Sequence, residues 1–135
     1  MPSSVTESVP IRSSEDVVRM RQWVRTRAVE IGFNLVEQTK IVTAASELAR
    51  NILEHGGGEG HVHLDQLSNN ARNGLRLTFE DKGAGIADID LALKDGFTSG
   101  SGLGLGLSGA KRLVNDFEIE SRPGEGTRVT ITRWK

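Results

Sequence analysis

The stretch Asp81-Lys-Gly-Ala-Gly-Ile86 is followed further along the chain by a denser glycine loop, Gly100-Ser-Gly-Leu-Gly-Leu-Gly106. Glycine lets backbone N–H groups approach a ligand closely and adopts positive φ at little steric cost. Clustered N–H groups at the start of a helix bind phosphate through their dipoles, and a helix is predicted to begin within the second loop. The first loop could seat a base and the second its phosphates, so the pair indicates a nucleotide site.

The sequence before these loops predicts one strand and two helices. Residues 8–12 could form an edge strand, because the proline among them cannot donate in a central ladder. Residues 1–8 are polar and are expected to be disordered. Helices are predicted from a serine cap at position 13 or 14 to Gly32 and from residues 35 to 54, each with apolar residues at helical spacing.

The remaining segments predict an α+β fold. The strands alternate apolar and polar residues, which indicates a sheet with one buried face. A polar hairpin loop is predicted over residues 68–73. The order β-α-α-β-β-loop-α-β-β is typical of a two-layer sandwich with helices on one sheet face. The predicted elements are strands over residues 61–67, 74–80, 117–121 and 127–133, and a third helix over residues 103–116.

Composition narrows the class of protein. The 135 residues suit one domain, expected over residues 1–135, and carry a net charge of −1 with 4% aromatic residues. These values give no general attraction to nucleic acid or anionic lipid and no stacking platform for bases. No run is long enough to span a bilayer. The absence of cysteine excludes disulfides and fits a reducing compartment, so we expect a cytoplasmic protein without nucleic-acid or membrane partners.

The second helix carries a polar stripe that permits two interpretations. Glu47 and Asn51 lie one turn apart, on or beside the side opposite the apolar stripe. They could belong to a solvated helix face, or they could be a base and an oxygen ligand for Mg²⁺ in one cleft. Arg50 could form a surface salt bridge or contact a phosphate or a partner carboxylate. Lys111 on the third helix could reach a phosphate or belong to a solvated basic face.

Four motifs carry a resemblance to a known family. They are Ser46-Glu-Leu-Ala-Arg-Asn-Ile52, Asp81-x-Gly-x-Gly85, the loop of residues 100–106, and Gly126-Thr127. In order and spacing they resemble the four boxes of the GHKL ATPase/kinase superfamily, which implies the Bergerat fold with a mixed or antiparallel sheet. Within it the chain most resembles RsbT-type switch kinases of bacterial stressosomes, in its first motif, its short segment between the loops and its ending.

The resemblance implies a role for each matching residue. Glu47 would be the general base that accepts a proton from the incoming hydroxyl, and Asn51 would hold Mg²⁺ against the triphosphate. Asp81 would accept a hydrogen bond from the adenine amino group, with support from Thr127 on a neighbouring strand. Glycines would turn the chain around the base and bind the phosphates; these positions are Gly83 and Gly85, and then Gly100, Gly102, Leu103, Gly104, Leu105 and Gly106.

The implied function is an ATP-dependent serine/threonine protein kinase. Its substrate would be a STAS-domain antagonist or scaffold protein in a bacterial partner-switching stress response, and phosphorylation would free the kinase to activate a downstream PP2C-type phosphatase. One alternative is an anti-sigma-factor kinase of the RsbW type. A second is a nucleotide-gated binding module with negligible turnover. A third, a detached histidine-kinase catalytic domain, needs a phosphoaccepting helical hairpin for which 135 residues leave no room.

Overall fold

The computed structural model describes residues 3–69, 72–83, 85 and 107–135. Within these ranges three helices cover one face of a five-stranded sheet, and the predicted α+β sandwich is confirmed. The helices are α1 (Ser14–Glu30), α2 (Leu35–His55) and α3 (Leu107–Arg112). The strands are β1 (Ser3–Ile11), β2 (Gly60–Asn69), β3 (Arg72–Asp81), β4 (Asp116–Arg122) and β5 (Gly126–Trp134).

The sheet has the order β1-β2-β3-β5-β4, and every neighbouring pair is antiparallel. β1 is an edge strand, as its proline predicts. However, the expectation that residues 1–8 are disordered is wrong from residue 3 onwards. The backbone pairs with β2 from Ser3 opposite Leu67 to Ile11 opposite Gly60, and this ladder orders a segment whose composition alone suggests none.

Two other predicted boundaries are wrong. The hairpin loop over residues 68–73 is too long, because β2 and β3 remain paired as far as Asn69 and Arg72. The third helix ends at Arg112 rather than at residue 116, since the Asn115 N–H already bonds the Thr132 carbonyl of β5. Its predicted start over residues 103–106 lies outside the described part of the chain.

The core lies between α1, α2 and the covered sheet face. The apolar stripes predicted for both helices are buried and pack against alternate residues of the central strands. Burying each large apolar side chain contributes about 1.5–3 kcal/mol. No helix in the described ranges is long and apolar enough to cross a membrane. The buried residues include Met20, Val24, Ile41, Leu48 and Ile52 on the helices and Val62, Leu64, Leu77, Phe79, Val129 and Ile131 on the strands.

The helix ends form where the local sequence predicts. The Ser13 side chain accepts a hydrogen bond from the Asp16 N–H and caps α1. Asn34 and Glu37 form a reciprocal capping box at the start of α2. Gly32, with φ of +94°, stops α1 in a conformation that other residues rarely adopt. These caps make the two long helices locally well specified.

Glu7 joins the edge strand to α1 through side chains. Its carboxylate accepts hydrogen bonds from Arg27 Nε at 2.6 Å and Nη2 at 2.7 Å, and from Trp23 Nε1 at 3.2 Å. The hydrogen bonds from Arg27 lower the pKa of the Glu7 carboxyl, because they favour its charged form. The carboxylate in turn raises the pKa of the Arg27 guanidinium. This bidentate ion pair helps to hold β1 against α1.

We expect Glu7→Gln to destabilise the fold by about 1 kcal/mol at neutral pH, since the amide cannot form the charged pair. The Glu7 pKa is lowered from its ordinary 4.5 in the folded state, so its contribution is complete above that pH and is lost as the pH falls through the folded-state value. Denaturant unfolding from about pH 7 down to about pH 3 measures the difference between variant and wild type.

Glu15→Gln is the matched control for this prediction. Glu15 lies on α1 with its side chain 84% exposed, 3.6 Å from Arg19. We expect its replacement to change the stability by less than about 0.5 kcal/mol. A Glu7→Gln difference that stays constant as the pH falls would contradict the assigned role of the carboxylate.

Candidate functional site

The polar stripe of α2 is half-buried at its centre. Glu47 and Asn51 are partly accessible, whereas their neighbours Leu48 and Ile52 are buried in the core. Arg50 Nη1 donates to Glu47 Oε1 at 3.1 Å, and the two side chains are 50% and 38% exposed. The surface salt bridge considered for Arg50 is therefore present, and its partner is the predicted base. Such an exposed pair contributes about 0–1 kcal/mol, so Arg50 can exchange it for another anion.

A row of polar side chains lies at the end of the sheet, on the side of the helices. Asp81 of β3 is opposite Thr127 of β5, and Thr127 is opposite Ser121 of β4. Side chains alternate along a strand, so these residues share a face with buried Phe79 and Val129. The structure thus brings together the two predicted base-reading residues, Asp81 and Thr127. It adds Ser121, which the motif analysis missed.

The hairpin between β4 and β5 is the signal that could have identified Ser121. A turn centred on residues 123–125 places Ser121 opposite Thr127, and each stands two residues from an apolar residue of its own strand, Ile119 and Val129. Ser121 Oγ donates to the Gly126 carbonyl at 3.0 Å and lies 2.8 Å from Thr127 Oγ1. The Asp81 carboxylate is oriented separately, because its Oδ1 accepts the Gly83 N–H at 2.9 Å.

Two glycines make room for Asp81. A Cβ on Gly56, the residue that ends α2, would lie 2.6 Å from Asp81 Cγ. A Cβ on Gly126 would collide with the Asp81 carbonyl oxygen, and Gly126 also has φ of +89°. Any other residue at either position would push the strand or the loop away. The end of α2 and the start of β5 therefore pack closely around the predicted base reader.

The two glycines of the first loop, Gly83 and Gly85, also lie in close contact with the backbone of neighbouring segments. A Cβ on Gly83 would lie 2.6 Å from the Gly56 carbonyl carbon, and one on Gly85 would collide with the Arg122 carbonyl oxygen. Gly85 has φ of +79°. Both glycines permit this close approach of backbone, and their implied role of turning the chain around the base stays a prediction. The structure shows that the space they leave is filled by neighbouring backbone.

The whole phosphate loop, residues 100–106, lies outside the described residues, which resume at α3. Those positions are Gly100, Gly102, Leu103, Gly104, Leu105 and Gly106, and they remain a prediction. Leu107 at the start of α3 is buried, and α3 packs against α2. The chain that follows the loop is thus anchored beside the helix that carries Glu47 and Asn51. Lys111 lies exposed on α3.

A cavity of about 900 Å³ opens near this end of the sheet but lies mainly over the uncovered face. Its lining includes His61, His63 and Arg128 together with Asp81 and Thr127. None of the α2 residues described by the structure lines it. The candidate site is instead assigned to the covered side, because Asp81 and Thr127 share that face with the core and α2 contacts β3 there.

Comparisons with known proteins agree with this arrangement. Residues 36–135 match the family of histidine kinase-, DNA gyrase B- and HSP90-like ATPases. The serine/threonine-protein kinase RsbT of Bacillus subtilis is 43% identical over 126 residues, which cover 93% of this chain and 94% of the relative. The anti-sigma F factor of Bacillus licheniformis is 31% identical over 103 residues, covering 72% and 69%.

Solved structures with little sequence identity share the fold. The RsbU and RsbW domains of a Mycobacterium tuberculosis protein superpose with a TM-score of 0.66 at 21% identity, covering 96% of this chain. The chain spans about a third of that larger structure, since the match covers 32% of it. The catalytic domain of the histidine kinase ThkA superposes with a TM-score of 0.55 at 16% identity, covering 94% and 95% of the two chains.

Proposed function

The chain belongs to the histidine kinase-, DNA gyrase B- and HSP90-like ATPases, and from this premise we propose that it is an ATP-dependent serine/threonine protein kinase in a bacterial partner-switching stress response. The observation that carries the proposal is the 43% identity to the kinase RsbT over nearly the whole chain. The adjacency of Asp81 and Thr127 beside α2 supports it, because two base-reading groups need a common face. The proposal places the protein in the cytoplasm.

The residues present fit ATP and Mg²⁺. Asp81 offers an acceptor-only carboxylate to the adenine amino group, and Asn51 offers a hard amide oxygen of the kind that Mg²⁺ prefers. Such a site holds the ion through few protein oxygens, with water and phosphate completing the coordination. Mg²⁺, when bound, would neutralise charge on the triphosphate. Binding of ATP should therefore be much weaker without the metal.

Glu47 is the proposed base for phosphate transfer. Its carboxylate accepts the proton of the incoming serine or threonine hydroxyl. The hydroxyl oxygen then bonds to the γ-phosphorus, the bond between that phosphorus and the bridging oxygen breaks, and ADP leaves with the electron pair. Because Arg50 pairs with Glu47 across a weak, exposed contact, it can release the carboxylate when a phosphate or a partner carboxylate is near.

We infer that the substrate is a STAS-domain antagonist or scaffold protein. Phosphorylation would release the kinase to activate a downstream PP2C-type phosphatase. The similarity to RsbT supports this, since it has higher identity and covers more of both chains than the similarity to the Bacillus licheniformis anti-sigma F factor. The weaker similarity to the anti-sigma F factor is the observation that supports a second candidate, a kinase that also sequesters a sigma factor.

One transfer experiment tests these alternatives. The purified protein is incubated with Mg²⁺, ATP labelled at the γ-phosphate and a STAS-domain protein from the same cell, with that protein's serines and threonines replaced in a control. Labelling of the unmodified partner, with no labelling of the control that lacks serine and threonine, supports the kinase. ATP-dependent partner binding without transfer supports the nucleotide-gated module. Retention of a sigma factor by the unphosphorylated complex supports the anti-sigma kinase.

Asp81→Asn should weaken ATP binding selectively. The amide can turn a donor towards the adenine amino group and leave a polar group unpaired, which costs about 1–3 kcal/mol or roughly a 5- to 150-fold loss of affinity. Titration with a labelled nucleotide measures the loss. Asp65→Asn is the matched control, because Asp65 lies on β2 and pairs with Arg76. Unchanged affinity in a folded Asp81→Asn protein would remove Asp81 from the site.

A further inference from the structure

Three polar side chains form a hydrogen-bonded chain on the uncovered face of the sheet, apart from the residues assigned to the nucleotide. Ser8 Oγ on β1 lies 2.6 Å from His63 Nδ1 on β2, and His63 Nε2 lies 2.8 Å from Glu80 Oε1 on β3. We propose that these residues form a second, hydrolytic site, at which Ser8 takes an acyl group from a small carboxylic ester and passes it to water. Serine, histidine and a carboxylate in this order of contact recur in hydrolases of unrelated folds.

Strand register brings the three side chains together. Ser8 is directly opposite His63, and Glu80 is the diagonal neighbour of His63 on β3. The residues on either side of His63, which are Val62 and Leu64, are buried in the core. Because side chains alternate along a strand, His63 lies on the uncovered face. The three groups come from three strands, so sequence spacing gives no sign of the arrangement.

The hydrogen bonds suit His63 as a base towards Ser8. An ionised carboxylate can only accept, so a neutral imidazole that bonds Glu80 through Nε2 carries its proton on that nitrogen. Nδ1 then holds a lone pair, and the Ser8 hydroxyl donates in the 2.6 Å contact. A nucleophile bonded to a base that is oriented by a third group is the arrangement that activates a serine. Glu80 is a positioning residue, since it acts on Ser8 through the imidazole.

The cavity over the uncovered face provides room for an ester. It has a volume of about 900 Å³, and His63 and Glu80 are among its lining residues. Their side chains are 32% and 43% exposed, so both can be reached from the cavity. Ser8 is exposed on β1, which is an edge strand of the described sheet. An edge strand presents backbone N–H groups that no neighbouring strand pairs, and these are the donors available for a developing oxyanion.

Each half of the reaction moves one proton through His63. As Ser8 Oγ bonds to the acyl carbon, its proton passes to Nδ1 of the imidazole. The bond between the acyl carbon and the alcohol oxygen then breaks, and that oxygen leaves with the electron pair and takes the proton from Nδ1. Water attacks the acyl-serine in the same way and restores the serine hydroxyl. The balance is ester plus water to acid plus alcohol.

The test measures hydrolysis of p-nitrophenyl acetate by the whole protein without nucleotide. We expect a burst of about one equivalent of nitrophenol per chain, the sign of an acyl-enzyme, and Ser8→Ala should abolish it. His63→Gln should lower the acylation rate by roughly 10²–10⁴-fold, the usual range for a positioned base. Glu80→Gln should lower the maximal rate and leave the half-saturating ester concentration unchanged, whereas a merely structural role would not separate the two.

A control variant and a covalent label distinguish this site from unspecific reaction. Exposed imidazoles also react with activated esters, and the His61 ring stacks on that of His63 with 6.3 Å between centroids. His61→Gln should therefore keep the burst. A fluorophosphonate should label Ser8, as located by peptide mass spectrometry, and should leave the exposed Ser68 unlabelled.

Several results would overturn the hydrolytic site. They are the absence of a burst in wild type, a wild-type burst in Ser8→Ala, and equal losses in His61→Gln and His63→Gln. Labelling of Ser8 at the same rate in His63→Gln and wild type would exclude the histidine as its base. Because the label is read on wild type, the test does not depend on the folding of any variant.

Discussion

Glu47→Gln is expected to lower phosphate transfer to the partner protein by roughly 10²–10⁴-fold, the usual range for removing a positioned general base. The amide keeps the shape of the side chain but cannot accept the hydroxyl proton. Binding of Mg²⁺ and ATP should stay nearly intact, because the metal is assigned to Asn51. Single-turnover transfer and nucleotide titration on the same preparation measure the two quantities separately.

Two controls make this result specific. Arg50→Gln breaks the same 3.1 Å ion pair but leaves the carboxylate, so an equal loss in that variant would show that the pair matters and the proton transfer does not. Glu54→Gln makes the same chemical change at an exposed position further along α2. Transfer at the wild-type rate in Glu47→Gln would exclude Glu47 as the base, whatever the family resemblance implies.

Asn51→Ala is expected to lose nucleotide affinity and transfer together, by at least about 10- to 100-fold. Changing a residue that merely supports a metal ligand typically weakens metal binding 10- to 100-fold, and losing the ligand itself should do no less. The distinguishing measurement is ATP affinity with and without Mg²⁺. In wild type the metal should strengthen binding strongly, and in Asn51→Ala the two affinities should approach each other.

Asn51→Asp serves as the conservative comparison for the metal. It retains an oxygen ligand at the same position, so most of the Mg²⁺ dependence should survive. Equal Mg²⁺ dependence in Asn51→Ala and wild type would show that the ion is held elsewhere. The site hypothesis thus predicts two different losses from residues one helical turn apart: transfer alone for Glu47→Gln, and nucleotide affinity together with transfer for Asn51→Ala. A solvated helix face predicts neither loss.

The sequence was most informative where the signal is local. The serine cap, the stop at Gly32 and the apolar spacing of both long helices predict α1 and α2 to within a few residues. Alternation predicts the central strands equally well. These features depend on neighbours within one or two turns, and such neighbours can be identified in the chain itself. The four motifs likewise indicated the family, which the comparisons confirm.

What the sequence by itself determined is the class of fold, the identity of the motifs and the family. The tertiary structure alone decided that β1 begins at Ser3, that Glu7 pairs with Arg27, and that Ser121 Oγ lies 2.8 Å from Thr127 Oγ1. It also showed that the glycines around Asp81 make room for packed backbone. The physical reason is the same in each case: the hydrogen-bond partner or the colliding atom lies on another element, and only strand register and helix packing bring the two together.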